Sequence, residues 1–481
     1  MAPVHKRKKL FLVGWASLLS EQIYSVHKLA KEHDILYWVR IKDVVPFEEK
    51  DFPNTLFHDY RDALAARPAP GIDASGFGIP SAKEFGALAD VEAEFMVMTE
   101  KWYESWSINR RKELFYEMVR YWGGVLDMLR PDAIVMTDIP HEMYSFVLYH
   151  LAKRRGIGTI MFENVLRYDR LLMYRDYNDG NPALSMVAKI GYPHRELASL
   201  PLDIQEQYLE QTGQKEPTPK YMGTFKQEHT GWGKLRRTTK ALVPFIKDGS
   251  IIERGVTRLF KLLKPSIRSE FARYVGVAQY GVPFVYVPLH YQPERTSSPQ
   301  GGVFSDQMLL VKTLAASLPA GWRLLVKEHP NQWLPHGDDY TPYRYPGFYE
   351  ELAKIPGVIL VPLSTSTFEL IEHAQAVSTI SGIPAWEGLL RGKPAILFGC
   401  SWFMHAPGVY RVDSVASCRQ ALAEIAAAGG PSAQSMVDYL GALGDASVQG
   451  YLDVYGRAWA PYSPEEYARN LSGAISEALA T

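Results

Sequence analysis

The sequence contains few cysteines and no long apolar run, the features that would indicate an oxidising compartment or a membrane. It has two cysteines, Cys400 and Cys418, in 481 residues, which argues for the cytosol and against a disulfide scaffold. No apolar run reaches the roughly 18 residues that a membrane helix requires. Residues 5–9 are basic and residues 10–19 are apolar, an order that imitates a signal peptide. We interpret this stretch as the first strand of a domain and expect a cytoplasmic protein.

An excess of one charge is also missing from the chain as a whole. Lys and Arg number 52 and Asp and Glu 53, a net charge of −1, so no general attraction to nucleic acid is implied. Residues 220–273 are the exception, with 13 basic and 4 acidic side chains. This local excess is either a solvated helical face or a surface for an anionic acceptor or the acidic face of the inner membrane.

Motifs that hold metals or triphosphates are absent from the sequence. It has no Asp-x-Asp pair, no His-Glu-x-x-His and no Cys/His cluster at zinc spacing. Gly392-Lys393-Pro394 lacks the Ser or Thr that follows the lysine of a phosphate-binding loop. We therefore predict no metal and no cofactor.

The second half of the chain alternates strand-like and helical segments. Residues 284–289, 323–327, 357–361 and 376–380 are short and almost continuously apolar, as strands buried on both faces of a parallel sheet are. Helical patterns at 304–318, 367–374 and 384–390 lie between or after them. This alternation predicts a doubly wound sheet.

The first half repeats the pattern and completes the predicted architecture. Strands at 10–14 and 35–39 flank a helix at 21–33, and strands at 131–137 and 159–162 flank a helix at 143–155. The fold class is then α/β, with two Rossmann-like domains facing across a cleft. We predict an N-terminal Rossmann-like domain at 1–215, a basic helical connection at 216–275, a C-terminal Rossmann-like domain at 276–455 and a helix at 456–481 that crosses back to the first domain.

Each strand of the second half ends at polar residues, and ligands of such sheets bind at the carboxyl ends of the strands. Helix starts offer backbone N–H groups and a positive dipole end to a phosphate, whereas a helical carboxylate suits the ribose hydroxyls. The nucleotide-binding candidates, in strand order, are Gln292, Glu294, Lys327, His329, Pro330, Ser364, Ser366, Ser381, Gly382 and Glu387. Ser366 is also explained as a helix cap paired with Glu369.

Carboxylates and a histidine follow the strands of the first half. Asp138, His141 and Glu163 are the candidates for activating an acceptor hydroxyl. The alternative is that Asp138 or Glu142 only caps the helix after Pro140. Charge on a leaving phosphate would be met by helix starts, by His329 and by Lys327 or Arg295, which suits a monophosphate leaving group.

Three runs in the second half resemble one known family. Residues 286–294 (YVPLHYQPE), 326–330 (VKEHP) and 379–394 (TISGIPAWEGLLRGKP) are similar to the capsular polysaccharide biosynthesis family, which includes the Kdo transferases of capsule assembly. The resemblance covers roughly residues 280–405. Its His-Pro pair, here His329-Pro330, resembles that of sialyltransferases and Kdo transferases, whose histidine contacts the nucleotide phosphate. Ile383-Pro384 departs from the small residues expected there.

The resemblance implies that the two-domain fold is GT-B-like, with the acceptor domain at 1–215 and the donor domain at 276–455. It also implies a glycosyltransferase that uses a nucleotide-sugar donor, with CMP-Kdo or another CMP-nonulosonate as the leading donor. The acceptor would be a glycan or a lipid-linked glycan of the cell surface. Three alternatives stay open: a glycerophosphotransferase using CDP-glycerol, a sugar-nucleotide epimerase on the same fold, and a non-catalytic scaffold of an assembly complex. Inversion and retention of configuration both remain open.

Overall fold

The computed structural model describes residues 7–166, 169–213, 266–333, 339–458, 460 and 462–480. The predicted basic connection lies almost entirely outside these residues. The α-helices of the described residues are α1 Gln22–Glu32, α2 Tyr60–Leu64, α3 Ala82–Gly86, α4 Ala89–Met98, α5 Glu100–Tyr103, α6 Ile108–Leu129, α7 Met143–Arg154, α8 Pro182–Ile190, α9 Leu202–Thr212, α10 Ile267–Tyr274, α11 Gln307–Ala315, α12 Phe348–Lys354, α13 Thr367–His373, α14 Ile383–Leu390, α15 Val415–Ala428, α16 Ala433–Ala446, α17 Val454–Arg457 and α18 Pro464–Ala480.

The first sheet contains seven strands within the described ranges. They are β1 Lys9–Val13, β2 Asp34–Arg40, β3 Leu56–Asp59, β4 Ala133–Met136, β5 Gly158–Val165, β6 Arg170–Tyr174 and β13 Val448–Gln449. Their order is β13-β6-β5-β4-β1-β2-β3. The strands from β3 to β5 run parallel, and β6 and β13 are added antiparallel. The chain reverses direction across the sheet between β1 and β4, which is the switch point of a doubly wound fold.

The second sheet contains six strands in the part of the chain that the structure describes. They are β7 Phe284–Pro288, β8 Arg323–Lys327, β9 Val358–Val361, β10 Ala376–Thr379, β11 Ala395–Leu397 and β12 Val409–Arg411. All pair in parallel in the order β12-β11-β10-β7-β8-β9. This is the Rossmann order, and its switch point lies between β7 and β10. The α/β class and the two facing Rossmann-like domains of a GT-B-like architecture are confirmed.

Two elements differ from the prediction by three residues at an end. The strand predicted to end at Phe162 continues as β5 to Val165, because residues 161–165 pair antiparallel with β6. The helix predicted at 304–318 is a 3₁₀ turn, Gly302–Ser305, followed by α11. Asp306 separates them, since its carboxylate accepts hydrogen bonds from the N–H groups of Met308 and Leu309 and caps α11.

The end of the chain returns to the first domain. Residues of β13 pair with β6, and α18 packs against α1, with Leu471 and Ile475 in the same buried cluster as Val26 and Leu29. The return therefore begins at Val448, ahead of the predicted boundary at residue 456. Another buried cluster contains residues of both domains, including Leu184 of α8 and Trp402 after β11, so the domains share a continuous apolar contact.

Candidate active site

The carboxyl ends of β4 and β7 meet at the junction of the two domains. Arg295, seven residues after β7, forms an ion pair with Asp138, two residues after β4. Its second terminal nitrogen lies 3.5 Å from Glu163 Oε1. The predicted acceptor and donor domains are therefore joined through a cation from one and two carboxylates from the other.

Glu163 is buried inside β5, with 4% of its surface exposed. Tyr174 donates to its Oε2 at 2.9 Å, and Gln300 Nε2 donates to its Oε1 at 3.1 Å. Burial raises the pKa of this carboxyl, while Arg295 and these hydrogen bonds act in the opposite direction. Its oxygens are occupied by protein donors, so in this conformation Glu163 holds the domain junction together.

Asp138 is likewise occupied at the junction. Besides its pairing with Arg295, its Oδ1 accepts the N–H of Ile139 at 2.8 Å. The expected alternative role of Glu142 as a helix cap does not occur, because its side chain makes no capping bond to α7. Instead, Asp138 binds Arg295 and the N–H of Ile139, and Glu142 accepts hydrogen bonds from the side chains of Lys101 and Trp102.

His141 is the candidate of the first domain whose ring geometry suits a base. Its Nδ1 lies 2.9 Å from the carbonyl oxygen of Ile139, and a carbonyl can only accept, so Nδ1 carries the proton in the neutral ring. Nε2 then bears the free lone pair. Glu142 Oε1 lies 3.6 Å from Nε2 and Asp138 Oδ2 lies 3.8 Å from Nδ1.

The switch point of the second sheet is built around His290, which directly follows β7. Thr379 Oγ1 lies 2.6 Å from its Nε2, and the N–H of Ser381 donates to the same nitrogen at 3.4 Å. The N–H of Gly382 donates to Thr379 Oγ1 at 3.2 Å. Burial lowers the pKa of His290 to about 3, with smaller contributions from His329 and Arg344. The ring is therefore neutral, with its Nε2 as an acceptor.

This arrangement corrects one expectation about the start of α14. The N–H groups of Ser381 and Gly382 were expected to be free for a phosphate. Instead, the N–H of Ser381 donates to His290 Nε2 and the N–H of Gly382 donates to Thr379 Oγ1. The Ser381 hydroxyl donates to the carbonyl oxygen of Thr296 at 2.7 Å. The reason is tertiary, because β7 and β10 are neighbours in the sheet and bring an acceptor to these amides. Any phosphate at this point would have to exchange for these two long bonds.

His329, at the exit of β8, has the opposite tautomer to His141. The N–H of Asn331 donates to its Nδ1 at 3.1 Å, so Nδ1 is the acceptor and Nε2 carries the proton. Burial lowers the pKa of His329 to about 4, with Glu328 opposing that shift. At neutral pH the side chain is therefore an uncharged hydrogen-bond donor, and it could meet a leaving phosphate with a neutral N–H group but not with a positive charge.

A buried polar network holds the loops that carry His290 and His329. Glu328 and Arg344 pair through two bonds of 2.6 Å and 3.0 Å with both side chains fully buried. The N–H of His329 donates to Glu328 Oε1 at 2.7 Å, and Arg344 donates to the carbonyl oxygen of His290 at 3.3 Å. Gln292 accepts from Arg344 and from Gln307. Gln292, a predicted nucleotide ligand, is therefore part of this support, with 2% exposure.

The remaining predicted residues lie around this edge with different partners. Lys327 Nζ donates to the carbonyl oxygen of Thr365 at 2.6 Å and to Thr367 Oγ1 at 3.0 Å, which ties β8 to α13. Ser366 caps α13 by accepting the N–H of Glu369, as the alternative interpretation expected. Pro330 and Ser364 are exposed, and Glu387 is half-buried on α14. A ligand role for these residues stays a prediction.

The cleft between the domains opens beside His141. Its lining residues are Val97, Met98, Lys101 and His141 of the first domain and Pro293, Glu294, Arg295, Ser297, Ser298 and Tyr343 of the second. Glu294 also lines this cleft, with its side chain exposed to solvent, and its Oε2 accepts a hydrogen bond from Thr296 Oγ1 at 3.0 Å. A carboxyl thus lies in the same cleft as the His141 imidazole.

Several residues of the site were not among the sequence-based candidates. His290, Thr379, Gln300, Tyr174 and Arg344 contribute its central hydrogen bonds. His290 directly follows the strand predicted at 284–289, so its position could have identified it as a candidate site residue. The contacts of the others depend on residues more than ten positions away in the chain, and no local pattern marks them.

The fold and the junction define a two-domain α/β protein of GT-B-like architecture. No protein-family model matches the sequence, and no curated protein sequence matches it. Among solved structures, the chain is similar to the beta Kdo 2,7 transferase of Thermosulfurimonas dismutans KpsC, at 12% identity over 77% of this chain and 91% of that chain, with a TM-score of 0.33.

Two further solved structures show similarity at a comparable level of identity. The UDP-GlcNAc 2-epimerase of Methanocaldococcus jannaschii is 11% identical over 90% of this chain and 97% of that chain, with a TM-score of 0.25. The calicheamicin glycosyltransferase CalG4 is 12% identical over 98% of this chain and 99% of that chain, with a TM-score of 0.22. Separately, none of the helices in the described ranges has the length and apolar character needed to cross a membrane.

Proposed function

We propose that this chain is a glycosyltransferase of surface polysaccharide or glycoconjugate assembly. It would transfer a sugar from a nucleotide-activated donor to a glycan or lipid-linked acceptor. The observation that carries the proposal is a pair of histidines with opposite, hydrogen-bonded tautomers, one after β4 of the first domain and one after β8 of the second, each at the carboxyl edge of its own sheet. His329 presents an N–H donor, and His141 presents a free lone pair.

The two histidines fit the two halves of a glycosyl transfer. The acceptor hydroxyl would give its proton to His141 Nε2 while its oxygen bonds to the anomeric carbon. The bond from that carbon to the phosphate oxygen would break, and the departing phosphate oxygen would accept the N–H of His329. Asp138 and Glu142, near the His141 ring, would stabilise the imidazolium. We describe this as a single displacement, because Glu163 and Asp138 are occupied by Arg295.

The proposed donor is CMP-Kdo or another CMP-nonulosonate. Support comes from the similarity of residues 326–330 to the His-Pro pair of transferases that use CMP-sugars. The neutral state of His329 and the engagement of Lys327 and Arg295 with protein groups also suit a monophosphate, which carries less charge than a diphosphate. The protein would act in the cytoplasm, with peripheral contact to the inner membrane through the basic residues 220–273 as part of the proposal.

A thermal-shift screen against CMP, CDP, UDP, ADP and GDP tests the donor. A nucleotide at 100 times its dissociation constant should raise the free energy of unfolding by about 2.7 kcal/mol. We expect this for CMP, with loss of the effect in His329→Ala and its retention in His194→Ala, whose side chain is 71% exposed. Stabilisation by UDP or GDP alone would overturn the CMP donor, and no response to any nucleotide would overturn the transferase.

Product analysis separates the remaining alternatives. With a CMP-sugar and a capsular oligosaccharide, a transferase forms a glycosylated product only when the acceptor is present. Conversion of the donor sugar without acceptor would indicate an epimerase instead, and glycerol phosphate transfer from CDP-glycerol would indicate a glycerophosphotransferase. Nucleotide binding with no turnover of any of these donors would favour a scaffold.

A further inference from the structure

Trp102 on α5 is unusually exposed for a tryptophan. Its relative exposure is 47%, whereas tryptophan is on average among the more buried residue types. None of the four residues of α5 is buried. The exposed part of this indole, on the predicted acceptor domain, is therefore available for contact with a ligand.

The indole is held in place by the carboxylate beside the candidate base. Trp102 Nε1 donates to Glu142 Oε2 at 3.0 Å, and Lys101 Nζ donates to Glu142 Oε1 at 2.7 Å. His141 Nε2 lies 3.6 Å from that same Oε1. Burial raises the pKa of Glu142, whereas the Lys101 ammonium and the hydrogen bonds from Lys101 and the indole lower it, and the net shift is downward. Glu142 is thus an anion that orients the ring and faces the imidazole.

Trp102 lies next to residues that line the interdomain cleft. Its neighbours Lys101 and His141 both line the cleft, and Lys101 Nζ lies over the indole, 5.2 Å from the ring centroid. A ligand would stack on the opposite face. A molecule on that face could extend one reactive group toward His141 Nε2.

Trp106, four residues further along, shows what a structural tryptophan looks like in this region. Tyr103 stacks on it with a centroid separation of 4.0 Å, and the Arg110 guanidinium carbon lies 3.8 Å from its centroid. Trp106 is only half-exposed and engaged by two protein side chains. The two tryptophans share a segment but differ in how much of each ring the protein covers.

We propose that Trp102 is a stacking platform for a sugar ring of the acceptor, so that the acceptor recognised at this site is a glycan. The C–H groups on one face of a pyranose form an apolar, slightly positive surface, which complements the negative face of an indole. The sugar on Trp102 places a hydroxyl of the glycan at His141. This inference rests on the proposed function, because it assigns the acceptor of the same site.

The test measures binding of the full-length protein to a printed array of defined bacterial surface oligosaccharides. We expect Trp102→Ala to lower affinity for the bound glycans at least tenfold, about 1.4 kcal/mol. Trp102→Phe keeps an aromatic face without the Glu142 bond and should stay within about threefold of the parent. Trp106→Ala is the matched control and should bind glycans like the parent. CMP stabilisation should be unchanged in all three variants.

The outcomes separate this inference from the proposed function. Equal glycan binding by the parent and Trp102→Ala would overturn the platform, and so would a parent protein that binds nucleotide but no oligosaccharide. A parent that binds no nucleotide would overturn the proposed function, whatever the array shows. If Trp102→Ala fails to fold, Trp102→Leu keeps an apolar side chain without an aromatic face and is judged by the same criterion.

Discussion

Arg295 of the second domain is paired with Asp138 of the first, although 157 positions separate them in the chain. The same guanidinium lies 3.5 Å from Glu163, whose side chain is only 5% exposed. Removal of one partner of a buried pair leaves an uncompensated charge, whose cost exceeds the value of the pair itself. The contacts of Arg295 with Asp138 and Glu163 therefore matter more for the stability of the domain junction than an exposed ion pair would.

We expect Arg295→Met to lower the free energy of unfolding by about 3 to 5 kcal/mol, because Glu163 would remain buried without its cation. Urea denaturation followed by circular dichroism measures this. Glu163→Gln in the same chain should recover part of the loss. The matched control is Arg67→Met, which removes an exposed pair with Asp62 and should cost about 1 kcal/mol or less. Equal effects of the two arginine variants would contradict the prediction.

His141→Gln should lower turnover by roughly 10² to 10⁴, the usual contribution of a general base, because glutamine cannot take up the acceptor proton. Stabilisation by CMP should be unaffected, since His141 belongs to the other domain. His194→Gln, at an exposed position, serves as the control. Turnover close to that of the parent would show that another group, such as Glu294, takes the proton.

Gly382→Ala should weaken CMP binding about tenfold through a steric effect. A Cβ there would lie 2.9 Å from Thr379 Oγ1 and 3.3 Å from His290 Nε2, while φ of −73° allows any residue. The methyl group would displace the two side chains that organise the start of α14, and isothermal calorimetry measures the change.

The control for that substitution is Gly473→Ala, in α18. An added Cβ there has no atom within 4 Å, so the substitution should leave CMP binding unchanged and stabilise the helix by up to about 1 kcal/mol. Unchanged CMP affinity in Gly382→Ala would place the nucleotide away from the switch point.

Glu94 on α4 should make stability fall as the pH rises. Burial, with a smaller contribution from Asp90, raises its pKa to about 7, and within the described residues its Oε2 has no hydrogen-bond partner. A carboxyl with an ordinary pKa near 4.3 when unfolded then binds more proton in the folded state. The contribution of Glu94 to the free energy of unfolding is therefore fully present below about pH 4 and is lost as the pH rises through 7.

Glu94→Gln removes that titration, so its advantage over the parent should grow by roughly 3 kcal/mol between pH 4.5 and pH 8. Denaturant midpoints at both pH values measure the difference. Glu113→Gln, on the exposed side of α6, should show no such growth. A constant difference between parent and Glu94→Gln across this range would contradict the assignment.

Much of the fold could be read from local patterns. The apolar runs of β7, β8, β9 and β10 and the Ser366 cap of α13 are as predicted, because strand burial and helix capping depend on neighbouring residues. The helix predicted at 143–155 is α7 to within a residue. The extension of β5 was missed, since it requires pairing with β6.

The candidate site was predicted only in part. The strand ends that carry Asp138, His141 and His329 were located, because ligands of parallel sheets bind at that edge. The hydrogen-bond partners of each side chain could not be predicted from the sequence. Lys327, for example, donates to Thr365 and Thr367 instead of facing the cleft. Such partners are set by the order of the strands, which the chain order alone does not specify.

By itself, the sequence determined the two alternating α/β halves and the polar residues at their strand ends, since both follow from the period and the chemistry of adjacent residues. Only the tertiary structure decided that Arg295 joins the domains, that His141 and His329 hold opposite tautomers, and that Trp102 is fixed beside the base. Each of these depends on a hydrogen-bond partner or on burial, and the folded chain supplies both by bringing distant residues or turns of backbone into contact.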